Sequence, residues 1–287
     1  MPLESLTGRS YGPHPLRVCP DKVAEYVLAT GDDSSRWTRF APPGFASVAL
    51  FSVAPRFLED PDVAPSTRML VHVDQTFRWQ SPWVIEDALS VRGTVERVRT
   101  RGSNSFVTFS MAVEDTAGAR ILDSASTFLM SAQSPDAGPK EESEPPVGER
   151  AGNDPSRRAL FPVVGEQMEE LQKSASRSDL VRYAGATWDW NPIHFDHDAA
   201  VAAGLPGIVV HGLLMAAWAT QAGTQIVDGP RPLAEARFRF RSPLRPAEPA
   251  AVSGVVERDD GREADLTVRV TAGGVERMSA TMVISRT

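Results

Sequence analysis

A short polar cluster around Pro192 contains residue types that can move protons. Asp189, Asn191 and His194 lie within six residues of one another. Pro192 interrupts a regular helix, so an irregular loop is expected to direct the three side chains towards one point. A carboxylate and an imidazole in one site suit acid–base chemistry near neutral pH. The segment predicts a proton-transfer site with Asp189 and His194 as catalytic groups, and Asn191 binding the substrate or its own loop.

A glycine at the start of an apolar segment suggests how such a site handles negative charge. Residues 213–227 contain few polar side chains and predict a buried helix, and Gly212 comes directly before them. Its N–H has no side chain in front and the positive end of the helix dipole behind, so it can receive a developing oxyanion. The alternative is that Gly212 only permits close helix packing. We expect the neighbouring His211 to pack or hydrogen-bond locally.

These motifs together resemble a known family. Asp-x-Asn-Pro-Ile-His at 189–194 is followed by Ala-Gly-Leu-Pro-Gly at 203–207 and Val-His-Gly at 210–212. This pattern is similar to that of the MaoC-like (R)-specific enoyl-CoA hydratases and the related 3-hydroxyacyl-ACP dehydratases. The resemblance implies a hotdog fold in which Asp189 and His194 add water to, or remove it from, an acyl thioester. It also implies that Asn191 supports the pair and that the N–H of Gly212 binds the thioester oxygen.

Two further residues of this segment are expected to contact substrate. Tyr183 opens the segment, and Trp188 stands where the family usually has glycine. A rigid indole beside the catalytic carboxylate predicts a narrowed acyl pocket and an altered substrate range. The alternative is that Trp188 points away from the pocket and packs in the core.

The chain consists of two similar halves. Phe-Arg-Trp-Gln-Ser-Pro at 77–82 recurs as Phe-Arg-Phe-Arg-Ser-Pro at 238–243, and several residues that follow keep the same spacing. Such self-similarity indicates duplication and fusion of one ancestral domain. We predict an N-terminal domain at 1–132, a Pro-, Gly-, Ser- and Glu-rich flexible linker at 133–156, and a catalytic domain at 157–287.

Hydrophobic periodicity predicts the same order of elements in both halves. Helices are expected at 21–30, 45–57, 178–186, 197–203 and 213–227. Strands are expected at 70–79, 89–98, 106–113, 121–130, 234–241, 250–258, 264–270 and 275–284. One long apolar helix followed by an antiparallel sheet, twice, predicts an α+β protein of two fused hotdog domains.

The N-terminal copy of the site has lost its imidazole. At an offset of 157 residues, Asp32 corresponds to Asp189, but Ser34 replaces the asparagine and Trp37 replaces His194. We therefore predict that the N-terminal half is non-catalytic and that Asp32 has a structural role.

Composition excludes several other classes of function. A net charge of −7 argues against nucleic acid as a partner, and no stretch approaches the roughly 18 apolar residues of a membrane span. The single cysteine and the absence of a secretory signal at the N-terminus predict a reducing, cytoplasmic location. No dinucleotide motif, phosphate loop or His/Cys/Glu cluster accompanies the pair, so neither cofactor nor metal is expected.

An arginine row offers one further binding surface. Arg237, Arg239 and Arg241 alternate with phenylalanines on a predicted strand, so they share one face. They are candidates to contact coenzyme A phosphates or an acidic carrier protein, and the alternative is a solvated sheet face.

The function favoured by these observations is reversible hydration of trans-2-enoyl thioesters carried by CoA or ACP, performed by a hydro-lyase. The alternatives are a hotdog thioesterase and a non-catalytic acyl-binding subunit. A homodimer is compatible with the sequence. The acyl chain, the carrier and the pathway stay open.

Overall fold

The structure is a computed structural model in which residues 2–133, 154, 156 and 159–286 are described. Of the predicted linker at 133–156, all but three residues lie outside this described part. No helix among the described residues is both long enough and apolar enough to cross a bilayer.

The N-terminal half follows the predicted order, with one additional strand. Its helices are α1 (Pro20–Thr30) and α2 (Ala46–Leu58). Its strands are β1 (Ser10–Arg17), β2 (Met69–Trp79), β3 (Ala88–Arg101), β4 (Asn104–Asp115) and β5 (Arg120–Ser131).

The C-terminal half repeats this order and adds one short helix. Its helices are α3 (Arg177–Thr187), α4 (His197–Ala202) and α5 (Gly212–Thr224). Its strands are β6 (Leu171–Lys173), β7 (Leu233–Phe240), β8 (Ala250–Asp259), β9 (Glu263–Ala272) and β10 (Val275–Ser285). The predicted helix at 213–227 is three residues shorter at its C-terminal end.

The two halves share one continuous antiparallel sheet. Ten strands lie in the order β1-β3-β4-β5-β2-β7-β10-β9-β8-β6, and the halves meet where β2 pairs with β7. These two strands carry the repeated Phe-Arg motif, so the duplicated segments pair with each other across the junction. The register places Phe77 opposite Ala236 and Gln75 opposite Phe238.

Each half of the sheet wraps around one apolar helix. Every residue of α5 after Gly212 is buried, and most of α2 is buried as well. Burying this much apolar surface is the main favourable term for each half, at about 25 cal/mol per Å². The prediction of an α+β protein made of two fused hotdog domains is confirmed.

The sequence did not predict the two edge strands. β1 contains Pro13 and Pro15, and prolines argue against a regular strand unless it lies at an edge, as β1 does. β6 has three residues, which is too short for an alternating pattern to be recognised.

Polar side chains tie the halves together around the Asp32 loop. The ammonium group of Lys173, on β6, is buried and donates to the Gly31 carbonyl at 3.2 Å and to Gln221 Oε1 at 2.5 Å. Arg36 donates to the main-chain carbonyl of Thr224, the last residue of α5, and to that of Val227, three residues beyond the helix, at 2.8 Å. The N-terminal half therefore caps the central helix of the C-terminal half.

We predict that Arg36→Ala destabilises the protein by about 1–3 kcal/mol, because it leaves carbonyls at the end of α5 without a charged donor. The measurement is the free energy of unfolding in urea. Arg39→Ala is the matched control, since Arg39 is exposed and lies over the Phe40 ring at 5.6 Å. Equal effects of the two changes would contradict the capping role.

Candidate active site

Helix α3 delivers Asp189 to the interior. Ser176 caps its N-terminus by accepting from the Asp179 N–H, and the Asp179 carboxylate accepts from the Ser176 N–H, which completes a capping box. The helix ends at Trp188, whose φ of 64° is left-handed. This conformation turns the chain sharply, and Asp189 follows it with only 8% of its surface exposed.

The loop after Asp189 presents His194 in a defined tautomer. Asn191 begins a short 3-10 turn, Pro192–His194, and its side-chain oxygen accepts from the Ile193 N–H at 3.4 Å. His194 Nδ1 lies 2.8 Å from the main-chain oxygen of Val209. Because a carbonyl only accepts, Nδ1 carries the proton and Nε2 is left as a lone-pair acceptor. Asn191 therefore supports its own loop, one of the two roles predicted for it.

Burial brings the ionisation of Asp189 and His194 into a useful range. Loss of water raises the pKa of Asp189 to about 7, and the Asn191 N–H partly opposes this shift. Burial lowers the pKa of His194 to about 4, and the hydrogen bond to Val209 partly opposes it. Between these values the imidazole is neutral and the carboxyl group is protonated, so Asp189 is the member of the pair that titrates near neutral pH.

A third residue, His211, joins the pair. Its ring is fully buried and stacks on the ring of His194 with centroids 3.7 Å apart and planes at 23°. Its Nε2 lies 3.4 Å from the main-chain oxygen of Asp189. The sequence predicted only local packing here, since stacking between residues seventeen positions apart leaves no local signal.

Among the described residues, Asp189, His194 and His211 offer possible metal-ligand atoms within 4.8 Å of one another. The ring geometry does not suit a metal ion. Imidazole lone pairs lie in the ring plane, and two nearly parallel rings 3.7 Å apart cannot direct both lone pairs at one ion. His194 Nδ1 is also engaged by Val209.

Gly212 stands at the N-terminus of α5, directly after His211. The N–H groups of the first helical turn have no partner inside the helix, so they are available to an anion. The Phe240 ring lies against Gly212, and a Cβ at this position would come within 3.0 Å of Phe240 Cε1. Close packing therefore also requires glycine here, and the oxyanion role stays a prediction.

Tyr183 lies beside the site without a hydrogen-bond partner for its hydroxyl among the described residues. Its buried ring is 4.8 Å from that of His211, at 55°. Burial raises its pKa, so the phenol stays neutral. A substrate contact by Tyr183 stays a prediction.

The position of Trp188 gives a different reason for its departure from the family pattern. The Lys22 ammonium group of α1 lies 5.3 Å from the centre of its ring, and the ring packs against the core. Gly31 occupies the corresponding position in the N-terminal half, with the same φ of 64°. A left-handed residue favours glycine at this point whatever the substrate, so the structure favours the packing alternative over the pocket hypothesis.

The N-terminal counterpart of the site is closed by a tryptophan. The indole N–H of Trp37 donates to the Asp32 carboxylate at 3.0 Å. Burial raises the pKa of Asp32, while this bond and the positive charges of Lys173 and Arg36 lower it. The arrangement agrees with the structural role predicted for Asp32.

The arginine row is neutralised by acidic neighbours. Arg237 makes a bidentate contact with Asp74 of the other half, with Nη2 and Oδ2 2.9 Å apart, and Arg239 lies 3.6 Å from the same carboxylate. Arg241 lies 3.5 Å from Glu276. These pairs favour the solvated-face alternative, because a phosphate would have to displace them.

Comparisons with known proteins agree with this architecture. The C-terminal half matches the MaoC like domain over residues 161–277, and the N-terminal half matches the FAS1-like dehydratase domain region over residues 5–124. A UPF0336 protein of Streptomyces coelicolor is 30% identical over 132 residues, which cover 42% of this chain and 88% of that protein. A mitochondrial 3-hydroxyacyl-acyl-carrier-protein dehydratase of Arabidopsis thaliana is 40% identical over 52 residues, 18% of this chain and 31% of that protein.

The fold likeness extends over the whole chain. A solved structure described as a MaoC-like dehydratase superposes with a TM-score of 0.82 at 24% identity, covering 99% of this chain and 100% of that one. The chain thus combines a C-terminal MaoC-like dehydratase domain, as its motifs predicted, with an N-terminal FAS1-like dehydratase region.

We predict that Asp189→Asn makes the protein more stable above pH 7. The folded pKa of about 7 lies above the unfolded value, so the parent is most stable at low pH. Its stability falls between the unfolded pKa near 4 and the folded pKa of about 7, by up to about 4 kcal/mol, and is level above that range. Urea unfolding at several pH values should show the advantage of the variant growing from about pH 4 to pH 8.

Asp32→Asn is the matched comparison for this titration. Its advantage should have the same sign but a smaller size, because Trp37, Lys173 and Arg36 favour the ionised form. A constant difference between parent and Asp189→Asn across this pH range would contradict a buried, desolvated Asp189.

We predict that Trp188→Gly is more stable than Trp188→Ala by about 1 kcal/mol, because both lose the ring and only alanine keeps the left-handed strain. Thermal unfolding measures this difference. The ratio of kcat/KM for short and long enoyl thioesters should stay at the parent value, whereas the pocket hypothesis requires that ratio to change.

Proposed function

We propose that this protein is a hydro-lyase that reversibly hydrates trans-2-enoyl thioesters to (R)-3-hydroxyacyl thioesters. The observation that carries the proposal is the burial of Asp189 and His194 side by side, with their polar side-chain atoms within 4.8 Å of each other. Burial raises the pKa of Asp189 to about 7 and keeps His194 neutral there. The match of the C-terminal half to the MaoC like domain supports the proposal. The name of the Arabidopsis relative supports a 3-hydroxyacyl thioester as the substrate class.

Hydration needs a base that removes a proton from water and an acid that donates a proton to Cα. Nε2 of His194 is the free acceptor of a neutral ring, so it takes a proton from water while the oxygen bonds to Cβ. The protonated carboxyl of Asp189 gives its proton to Cα. Both groups are charged once the two transfers are complete, and their mutual attraction in a dry site offsets the low basicity of the buried imidazole.

The carbonyl of the thioester carries the charge between these two proton transfers. As water adds at Cβ, electron density moves through the conjugated system to the thioester oxygen. The N–H of Gly212, at the positive end of α5, stabilises that oxygen in the proposed mechanism. Dehydration runs through the same groups in reverse, with Asp189 removing the Cα proton.

Two rival functions are distinguished by the products that they form. A thioesterase aims water at the carbonyl carbon and releases a free thiol, while a non-catalytic acyl-binding subunit leaves the substrate unchanged. A hydratase removes the conjugated double bond, so the ultraviolet absorbance of the enoyl thioester decreases while no thiol is released. Crotonyl-CoA followed by absorbance and by a thiol reagent separates the three, and a panel of CoA and ACP thioesters then defines the substrate.

We predict that Asp189→Asn and His194→Ala each lower kcat by at least about a hundredfold while the protein stays folded. Asp32→Asn, at the corresponding position of the N-terminal half, should stay within a few-fold of the parent. Near-parent turnover in either of the first two variants would refute the site assignment. A loss in Asp32→Asn as large as in Asp189→Asn would indicate a second active site.

A further inference from the structure

His211 touches both catalytic residues, although the proposed proton transfers do not use it. One face of its ring lies on His194 at 3.7 Å, and Tyr183 packs against it at 4.8 Å. Its Nε2 is 3.4 Å from the Asp189 main-chain oxygen. A carbonyl accepts only, so Nε2 carries the proton and donates. The buried side chain of His211 thus contacts both the ring of the proposed base, His194, and the loop that carries the proposed acid, Asp189.

Packing alone does not require an imidazole at this position. Nδ1 of His211 is buried and has no hydrogen-bond partner among the described residues. An unsatisfied buried polar atom costs about 1–3 kcal/mol, whereas a phenyl ring would fill the same space without that cost. Space filling alone therefore does not explain why this residue is a histidine.

The N-terminal half contains the phenyl version of this arrangement. Phe45 precedes α2 as His211 precedes α5, and its ring contacts Tyr26 at 5.8 Å as His211 contacts Tyr183. This half also has Trp37 in place of His194. The C-terminal half thus has histidine at both positions, 194 and 211, whereas the N-terminal half has histidine at neither counterpart. The histidine at 211 therefore occurs together with the one at 194.

We propose that His211 is a positioning residue for the catalytic pair, fixing the plane of His194 by stacking and the Asp189 loop through the main-chain oxygen of Asp189. Its consequence for turnover rests on the proposed hydratase function. Stacking on His211 fixes the tilt of the His194 ring, and the hydrogen bond from His194 Nδ1 to Val209 fixes its tautomer. Nε2 then points at one position for the attacking water, and a small misplacement there is costly to the rate.

The charge state of the cluster is consistent with this role. The titratable groups that face His211 are Asp189, His194 and Tyr183. Burial, and then the proximity of His194, lower the pKa of His211 well below its usual range, so its ring stays neutral. A neutral stacked ring can hold His194 in place without competing for its proton.

The first test does not depend on activity. Nitrogen NMR of isotopically labelled histidine follows the five imidazoles, with His211→Phe used for assignment and comparison. In the parent, His194 should appear as the Nδ1–H tautomer and His211 as the Nε2–H tautomer, both neutral near pH 7. Folded His211→Phe keeps a ring at this position but loses the donor to the Asp189 main-chain oxygen, so the chemical shifts of the His194 ring nitrogens should move while Val209 still holds the Nδ1–H tautomer. Unchanged ring-nitrogen shifts of His194 in this variant would overturn the proposal.

The second test measures turnover. His211→Phe should lower kcat at least about tenfold with KM within about threefold, since the loss lies in alignment rather than binding. His211→Gln restores a donor at the Nε2 position and should recover part of the rate. Phe45→Leu, a change to the corresponding ring of the other half, should lower stability while kcat stays near the parent.

The outcomes of the two tests separate the two proposals. Parent-level kcat in His211→Phe would overturn the positioning role and leave the hydratase function standing. A parent protein that hydrates no enoyl thioester would refute the proposed function, and the NMR comparison would still decide whether His211 positions His194.

Discussion

Removal of water from Asp189 and His194 is the constraint on which the site depends. Both groups lie almost entirely below the surface, where the charged form of each is costly. Desolvation moves the two pKa values in opposite directions from their usual ranges, which leaves a carboxylic acid beside a neutral base. Exposed at the surface, the same two residues would form an ordinary ion pair near pH 6 and offer no acid to a carbanion-like intermediate.

Both halves of the duplicated fold help to exclude water from Asp189 and His194. Helix α5 is wrapped by its own half of the sheet, and its N-terminal end meets the loop that carries the pair. The N-terminal half closes the other side: Lys22 lies over Trp188, and Arg36 donates to the carbonyl of Thr224, the last residue of α5. The N-terminal half thus stabilises the half that carries Asp189 and His194, and the β2–β7 pairing joins the two in one sheet.

Functional residues that are close together in the sequence could be predicted from it, whereas contacts between residues far apart in the sequence could not. Asp189 and His194 come from one loop, so their spacing alone predicted that they lie close together. The stacking of His211 on His194 needed the tertiary fold. So did the pairing of Arg237 with Asp74, because the acidic partner comes from the other half across a strand register that the sequence leaves open. Trp188 is a third case: its side-chain size suggested a pocket residue, whereas its left-handed backbone conformation gives a separate reason why glycine suits this position.

The pH dependence of kcat/KM for an enoyl thioester tests the central claim most directly. If Asp189 acts as the acid and His194 as the base, hydration is fastest between about pH 4 and pH 7 and declines as Asp189 loses its proton above that range. Hydration that instead increases as the pH rises through 7 would mean that Asp189 works as a carboxylate base. That result would contradict the account of a buried carboxylic acid beside a neutral base.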